Sequence, residues 1–226
     1  MKKYFVFLLG TISVLLSLHG CNSIYTNEHL KNEYERVLKF FDSTLVNHFP
    51  KKLPDKCSFS TNVALAKIDY EKESGFSSFY ADLRKKYSNK RYSKIKNIFI
   101  SSSKAVYDAN SEKLLLIFSY NNDMEINGEK YTNLESLKRR KLAKLNLIAT
   151  SFPIPLFEID QFKSNTFSGL PEDFKIYVLE AKPGKYLEDK YLRDCVCLPE
   201  KWKHGFSKGV AMSDKRHVII YWVTVW

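Results

Sequence analysis

Apolar side chains recur at three- and four-residue spacing near the start of the chain, which is the period of one face of an α-helix. Between residues 27 and 48 they are Leu30, Tyr34, Val37, Leu38, Phe41 and Leu45. Pro50 and Pro54 follow, and proline ends a helix because it lacks an amide donor. The pattern predicts one amphipathic helix over residues 27–48 that packs its apolar face in a core.

The middle of the chain alternates between helical and strand-like patterns. Apolar spacing predicts a second helix at residues 77–87 and a third at residues 134–148. Strands are predicted at residues 57–69, 95–103, 104–107 and 113–120, the last two joined as a hairpin through a turn. Asn127-Gly128 predicts a type I′ turn between two further short strands, at residues 124–126 and 129–131.

Strand patterns dominate the last third of the chain, at residues 174–181, 205–212 and 217–226. A polar turn at residues 213–216 joins the second of these strands to the third. The final run has so few polar residues that both of its faces must be covered, which is typical of a central strand.

The order of these elements predicts an α+β fold: a single domain with a largely antiparallel or mixed sheet, about three helices and a buried C-terminal strand. Aromatic residues make up 15% of the 226 residues, which supplies a core and argues against disorder. The sequence has no internal repeat and no long Gly/Ser-rich linker. We therefore expect one domain over residues 28–226.

The first twenty-one residues have the composition of an export signal. Two lysines precede an apolar run at residues 4–18, and Leu18-His19-Gly20-Cys21 closes the run with a thiol. This segment resembles a bacterial lipoprotein signal peptide. The resemblance implies that residues 1–20 are removed, that Cys21 is acylated, and that residues 21–27 form a short tether. An uncleaved anchor and plain secretion are the alternatives, although the run is shorter than the ~20 residues that span a bilayer.

The same resemblance implies a location. Stable attachment needs more than one acyl chain, which lipoprotein processing supplies. Residues 22–27 contain no acidic cluster of the kind found in surface-exported lipoproteins, and residue 22 is not the aspartate associated with inner-membrane retention. The resemblance therefore favours the cell envelope, at the periplasmic face of an outer membrane, with the membrane as a partner through the lipid on Cys21.

The excess of basic residues is the next feature that bears on function. Without residues 1–20, 34 basic side chains stand against 25 acidic ones, a formal charge of +9. Residues 84–96 contain seven of them and no acid: Arg84, Lys85, Lys86, Lys90, Arg91, Lys94 and Lys96. Tyr87 and Tyr92 interleave with them, a mixture that in a cytosolic protein favours nucleic-acid binding.

An exported protein meets a different set of anions, so we predict no nucleic-acid partner. The seven residues become candidates for binding an anionic envelope polymer, lipid headgroups or an envelope protein. A second basic cluster has the same character: Lys138, Arg139, Arg140, Lys141 and Lys144. For both clusters the alternative is a solvated face that keeps a basic protein soluble.

Three further cysteines, Cys57, Cys195 and Cys197, are candidates for a disulfide or for thiol chemistry. Thiols outside the cytoplasm tend to pair, and Cys57 could bridge to either of the others or stay unpaired and buried. A redox role and a zinc site with His204 are the alternatives. However, C-x-C is not the common redox spacing, and the set matches no common zinc pattern. We therefore predict no metal and no cofactor.

The segment Gly205-Phe206-Ser207-Lys208-Gly209 matches G-x-S-x-G, the nucleophile elbow of α/β-hydrolases. An elbow must follow an apolar strand and open a helix, whereas a polar segment precedes this motif and a strand pattern follows it. We therefore predict no catalytic residue. The favoured hypothesis is a non-enzymatic envelope binding protein; the alternatives are an envelope enzyme of hydrolase type and a thiol or metal module at Cys195 and Cys197.

Overall fold

The computed structural model describes residues 27–63, 78–111, 113–117, 124–126, 129–131, 151–157, 166–192 and 198–226. Within this part, the helices are α1 (Asn27–Phe40), α2 (Ser43–Val46) and α3 (Asn89–Ser102). The strands are β1 (Cys57–Thr61), β2 (Phe79–Lys86), β3 (Ala105–Asp108), β4 (Leu115–Ile117), β5 (Met124–Ile126), β6 (Glu129–Tyr131), β7 (Pro153–Pro155), β8 (Phe174–Pro183), β9 (Gly205–Ser213) and β10 (Val218–Val225). Short 3₁₀ turns lie at Asp189–Tyr191 and Glu200–Trp202.

Six of the described strands form one antiparallel sheet in the order β1-β2-β10-β9-β8-β3. The C-terminal strand β10 lies inside this sheet, and its residues after Val218 are buried. The fold is thus a single α+β domain with a buried C-terminal strand, as predicted. Outside the main sheet, β4 pairs with β7 in parallel and β5 pairs with β6 antiparallel.

Both faces of the sheet carry cores, because successive strand residues point to opposite sides. On the helix face, Leu83, Val210 and Tyr221 pack with apolar residues of all three helices. On the opposite face, Trp222 packs with residues of β4, β7 and β8. Position 209 must be glycine there, since a Cβ on Gly209 would lie 2.6 Å from the Trp222 ring.

One end of the sheet is where β1 starts and β2 finishes, and we call it the basic end because β2 finishes there at Lys86. Helix α1 runs away from this end. Its Tyr34 contacts Phe59 of β1, whereas Phe40, further along the helix, contacts Phe79 at the far end of β2. Helix α3 begins at the basic end, directly after β2. The N-termini of both long helices therefore lie towards the same end of the sheet.

The helix predicted at residues 77–87 is wrong, because this segment contains β2. Phe79, Leu83 and Tyr87 are four residues apart, which suits one face of a helix. An even spacing equally suits one face of a strand. All three side chains are buried in the helix-face core together with Ala81, which lies between the first two on that face.

The strand predicted at residues 95–103 is also wrong, because α3 covers almost all of it. Its isoleucines favour a strand by propensity. The buried residues of α3 are Tyr92 and Phe99, however, and a separation of seven is two helical turns. Packing of these two aromatic rings against the sheet decides the conformation, and it leaves Ile98 and Ile100 exposed.

Two predicted connections differ from the structure. The predicted hairpin over residues 104–120 does not form, because β3 pairs with β8 and β4 pairs with β7. A turn does follow β3 at residues 109–110, but the next strand, β4, lies outside the main sheet. The single helix predicted over residues 27–48 is divided into α1 and α2. The Asp42 carboxylate accepts a 2.8 Å bond from the Thr44 amide and so starts a new helix.

The remaining predictions are confirmed or fall outside the described residues. β8, β9 and β10 match the strands predicted in the last third, including the turn between β9 and β10. β5 and β6 pair as predicted. The predicted helix at residues 134–148, the end of the strand predicted at residues 57–69, and the signal segment with Cys21 lie outside the described residues.

Candidate anion-binding site

The basic segment begins on β2 with a buried ion pair. The Arg84 guanidinium donates a 2.9 Å bond to the carboxylate of Asp82, whose side chain is 1% exposed. The hydroxyl of Tyr80 donates to the same carboxylate. Burial raises the pKa of Asp82, while Arg84 and Tyr80 act to lower it. Arg84 therefore satisfies an internal carboxylate rather than facing a ligand.

Two lysines of the segment are also held by internal partners. The Lys85 ammonium donates to the backbone carbonyls of Asp55 and Lys56, in the loop before β1. The Lys96 ammonium lies 2.6 Å from a carboxylate oxygen of Asp214, in the turn between β9 and β10. The bond from Lys96 holds the pKa of Asp214 below its ordinary value.

The other four cations of the segment point outward: Lys86, Lys90, Arg91 and Lys94. All four are exposed, and no described carboxylate pairs with any of them. Lys90, Lys94 and Ile98 succeed one another at i, i+4 and i+8 and so share one side of α3. Ile98 is 56% exposed. We call Lys90, Lys94 and Ile98 the basic face. Lys86 is not part of it, since its register partner Val218 packs with the core on the face of the sheet opposite the helices.

Both tyrosines of the segment are buried, unlike stacking platforms for nucleic-acid bases. The Tyr87 hydroxyl lies 2.8 Å from the Tyr221 hydroxyl, and the Tyr92 hydroxyl donates a 2.7 Å bond to Asp214. Burial raises the pKa of Tyr87 and of Tyr221, so both hydroxyls keep their protons at neutral pH. Tyr92 connects α3 to the turn between β9 and β10, and Tyr87 connects the end of β2 to β10. Neither tyrosine offers an open ring face.

A cavity of about 430 Å³ opens at the basic end, between α3 and the loop that joins α2 to β1. Its charged lining residues are Lys52, Asp55, Lys85 and Arg91. The hydrogen-bonded tyrosines Tyr87 and Tyr221 also line it, and the rest of the lining is apolar: Pro50, Leu53, Pro54 and Ile95. Three cations and one carboxylate thus surround a space with an apolar wall and a pair of hydroxyls.

The Arg91 side chain connects the cavity to the basic face. Its guanidinium lies 5.4 Å from the centre of the Tyr87 ring, a cation–π distance. The ring supports the guanidinium from one side without using its in-plane donors. Arg91 therefore stays able to form a bidentate bond to an oxyanion.

The sequence prediction missed Lys52 and Tyr221, which belong to segments far from residues 84–96. Lys52 follows α2 in a proline-bounded loop, and Tyr221 lies in β10 opposite Leu83. Neither has a local pattern that distinguishes it from a surface lysine or a core tyrosine. Only the pairing of β2 with β10 brings Tyr221 to the cavity.

The candidate thiols do not meet at this site. Cys57 lies half-buried at the start of β1 and forms no disulfide within the described part of the chain; burial raises the pKa of its thiol, which disfavours the reactive thiolate. Cys195 and Cys197 lie outside the described residues, so a bridge to Cys57 stays a prediction. Among the described residues, no three His, Cys, Asp or Glu side chains are grouped so as to hold a metal ion. Cys21 and the second basic cluster, residues 138–144, also lie outside the described part.

Ser207 does not occupy a nucleophile elbow. It lies within β9, is fully buried, and its hydroxyl donates a 2.5 Å bond to the carbonyl of Pro153 in β7. Gly205 is the first residue of β9, and Gly209 gives the Trp222 ring room. The G-x-S-x-G match therefore reflects strand packing.

Two buried polar side chains, Lys208 and His48, lie beside α2. The Lys208 ammonium donates a 2.5 Å bond to the carbonyl of Thr44 and lies 3.2 Å from Glu180. Burial lowers the pKa of His48 to about 3, so the ring is neutral, and its Nε2 donates to the carbonyl of Trp222 at 3.0 Å. These contacts attach the short helix α2 to the sheet.

Comparison of the chain with protein-family models, with curated proteins and with solved structures finds no match. None of the helices in the described residues has the length and apolar character needed to cross a membrane. Functional inference for this chain therefore rests on its residues and their geometry.

Proposed function

We propose that this chain is a bacterial lipoprotein that is anchored through Cys21 and binds anionic lipid headgroups through its basic face. The observation that carries the proposal is the pair of exposed lysines on the outer side of α3, Lys90 and Lys94, which have no carboxylate partner among the described residues. Each Lys or Arg near an anionic membrane surface contributes about 1 kcal/mol.

The path of α1 supports this orientation. Its first residue, Asn27, lies towards the basic end of the sheet, because α1 runs from that end to the other. Five residues lie between Cys21 and Asn27, so the six steps along the chain span at most about 22 Å at ~3.3–3.6 Å per residue. A lipid on Cys21 would therefore hold the basic end, rather than the far end, next to the bilayer.

Ile98 supports the choice of a membrane surface over a soluble polymer. It continues the line of Lys90 and Lys94 along α3 and is largely exposed. A helix side with lysines and an apolar residue suits the boundary between headgroups and acyl chains. A purely ionic polymer would gain nothing from the isoleucine.

The anchor is tested by the intact mass and membrane partition of the full chain in a bacterial host, wild type against Cys21→Ala. The expected wild-type product lacks residues 1–20, carries acyl chains and sediments with membranes, whereas Cys21→Ala gives an unacylated product. If both proteins keep residues 1–20 and carry no lipid, the lipoprotein proposal is wrong.

The binding surface is tested with the full-length Cys21→Ala chain and vesicles of phosphatidylglycerol or of neutral phosphatidylcholine. Charge reversal at Lys90 and Lys94 to Glu is expected to abolish most of the sedimentation with the anionic vesicles. The matched control reverses two exposed lysines outside the basic face, Lys39 and Lys201. Equal loss in both double variants would mean that only net charge matters, and would contradict a specific basic face.

A further inference from the structure

We infer that the cavity at the basic end binds one phosphate monoester group, held between Arg91, Lys52 and Lys85. The inference rests on the proposed function only for the compartment, because the cavity and the basic face use different residues. The shared chemistry is a dianionic phosphate, carried either by a small soluble compound or by a lipid headgroup.

The charge of the lining favours a dianion. Lys52, Lys85 and Arg91 supply three positive charges and Asp55 one negative charge, a formal excess of two. A phosphate monoester carries about −1.5 to −2 at pH 7, which matches this excess. A carboxylate or a phosphate diester carries a single charge and would leave part of the excess uncompensated.

The donors around the cavity are already oriented. The Lys85 ammonium has three N–H donors, and the carbonyls of Asp55 and Lys56 take two of them. These bonds fix the ammonium at the cavity and leave one donor for a ligand. The planar guanidinium of Arg91 has paired N–H donors that suit phosphate oxygens, and it packs against the Tyr87 ring.

The two tyrosines add a further donor. A pair of hydroxyls has two protons, and the 2.8 Å bond between Tyr87 and Tyr221 uses one of them. The hydroxyl that accepts this bond keeps its own proton, and both residues line the cavity. A phosphate oxygen is a suitable acceptor for that proton.

The start of α3 is consistent with a bound anion. Its first turn contains Lys90 and Arg91 and no acidic residue. Cations at a helix N-terminus oppose the helix dipole, whereas an anion there is favourable. The Ser88 side chain does not cap the helix. An anion held by Arg91 would offset the unfavourable placement of both cations.

The apolar part of the lining indicates the rest of the ligand. A volume of about 430 Å³ lies within the ~300–1,000 Å³ of small-molecule sites, so a phosphate ion alone would not fill it. Leu53, Pro54 and Ile95 offer an apolar wall. The ligand class is therefore a phosphate monoester on a compact apolar or ring-shaped body.

The test is a calorimetric titration of the full chain, in neutral detergent, with phenyl phosphate as the probe. Benzenesulfonate has the same ring with a single charge and is the ligand control. Phenyl phosphate is expected to bind at least about tenfold more tightly than benzenesulfonate. Equal binding of the two compounds would overturn the inference.

Two variants locate the site. Arg91→Gln is expected to weaken phenyl phosphate binding about tenfold or more, since it removes the bidentate donor. Lys104→Gln is the matched control, an exposed cation after the end of α3 and outside both the cavity lining and the basic face, and less than about a twofold change is expected. Equal losses in the two variants would indicate diffuse attraction by charge and would overturn the inference.

Tyr221→Phe keeps the ring and removes only the hydroxyl, so it tests the extra donor. A weakening of about three- to tenfold is expected, with an unchanged near-ultraviolet circular dichroism spectrum as the folding check. Unchanged binding in this variant and in Arg91→Gln together would place the phosphate outside the cavity and contradict the inference.

Competition with vesicles distinguishes the two sources of phosphate. Phosphatidic acid is a monoester and phosphatidylglycerol a diester, so displacement of phenyl phosphate by the former alone identifies a lipid headgroup. Absence of displacement by either lipid identifies a soluble ligand. If phenyl phosphate does not bind while the basic face still binds vesicles, the cavity inference fails and the proposed function stands. If phenyl phosphate binds while the chain does not bind vesicles, only the proposed function is rejected.

Discussion

Arg84 of β2 and Arg91 of α3 belong to one basic run, residues 84–96, yet their guanidinium groups have opposite surroundings. Arg84 on β2 is mostly buried and pairs with Asp82, whereas Arg91 on α3 is exposed and pairs with no described carboxylate. The two residues are seven apart, and each has a lysine as one of its sequence neighbours. Their different surroundings show that a count of charges does not reveal which charges are available to a ligand.

The position of each element in the fold explains the difference. β2 is covered on both faces, since Leu83 is buried on the helix face and Asp82 is buried on the opposite face. Arg84 falls on the same side of the strand as Asp82, two residues earlier. α3 covers one face of the sheet and has solvent on its outer side, where Lys90 and Lys94 lie. Arg84 therefore stabilises the fold, whereas Lys90, Arg91 and Lys94 are exposed and stay available to a ligand.

The largest effect is expected from Arg84→Ala, which breaks the buried pair and leaves the Asp82 charge unpaired. We expect the free energy of unfolding to fall by about 3–5 kcal/mol. The measurement is urea unfolding followed by tryptophan fluorescence. Arg91→Ala is the matched variant on the α3 side, and a change within about 0.5 kcal/mol is expected because its guanidinium has no internal carboxylate partner.

The double variant Asp82→Leu, Arg84→Met sharpens the same comparison. Replacing both members of a buried pair by apolar side chains is often neutral, whereas removing one member is not. We therefore expect the double variant to recover most of the stability lost in Arg84→Ala. A double variant as unstable as Arg84→Ala would show that the loss came from packing rather than from the unpaired charge.

The sequence predicted the fold best where one face of an element is continuous and its spacing has one interpretation. β9 and β10 met that condition, since their apolar runs are long and joined by a polar turn. β2 did not, because a four-residue spacing fits both a helix and a strand. α3 did not, because its isoleucines have strand propensity, while its packing depends on Tyr92 and Phe99 meeting a sheet formed by distant strands.

The sequence predicted the basic part of the site, but not its internal partners or its cavity. Asp55 lies 30 residues from Lys85, and Asp214 lies 118 residues from Lys96. Asp82 lies just before the acid-free run that begins at Arg84. The cavity needs the loop before β1, the start of α3 and Tyr221 of β10 together. Such a set is defined by strand pairing, which local periodicity does not contain.

A smaller effect is expected from Tyr92→Phe, which removes the bond between α3 and the turn after β9. The Tyr92 hydroxyl donates to Asp214 at 2.7 Å and its ring is buried. We expect a loss of about 1 kcal/mol in the free energy of unfolding, since the ring is retained and only one hydrogen bond is lost. The same substitution in an Asp214→Asn background should have less effect, and an undiminished loss there would contradict the assigned bond.

The two carboxylates that accept bonds from the basic run should respond to pH with opposite signs. Lys96 and Tyr92 lower the pKa of Asp214, so its stabilisation is present above the unfolded value of about 3.9 and is lost as pH falls through the folded value. Burial raises the pKa of Asp82, so its contribution is most favourable below about 3.9 and declines as pH rises through the folded value.

Unfolding curves measured from pH 2 to pH 6 for wild type, Asp214→Asn and Asp82→Asn separate these contributions. The stability advantage of wild type over Asp214→Asn should grow as pH rises through this window. The advantage over Asp82→Asn should shrink. Parallel difference curves for the two variants would mean that the buried and the exposed carboxylate are perturbed in the same direction, and would contradict the comparison.

The smallest effect separates two lysines on the same helix, Lys96 and Lys94. Lys96→Gln removes an exposed ion pair with Asp214, which is expected to cost between about 0.2 and 1 kcal/mol at low salt and less at high salt. Lys94→Gln removes a cation with no described partner, so the free energy of unfolding should stay the same or rise slightly as repulsion from Lys90 is relieved. Both variants are measured by thermal unfolding at two salt concentrations. Equal destabilisation by Lys96→Gln and Lys94→Gln would mean that Lys94 stabilises the fold. This result would contradict the interpretation of the outer side of α3 as a surface that binds anions.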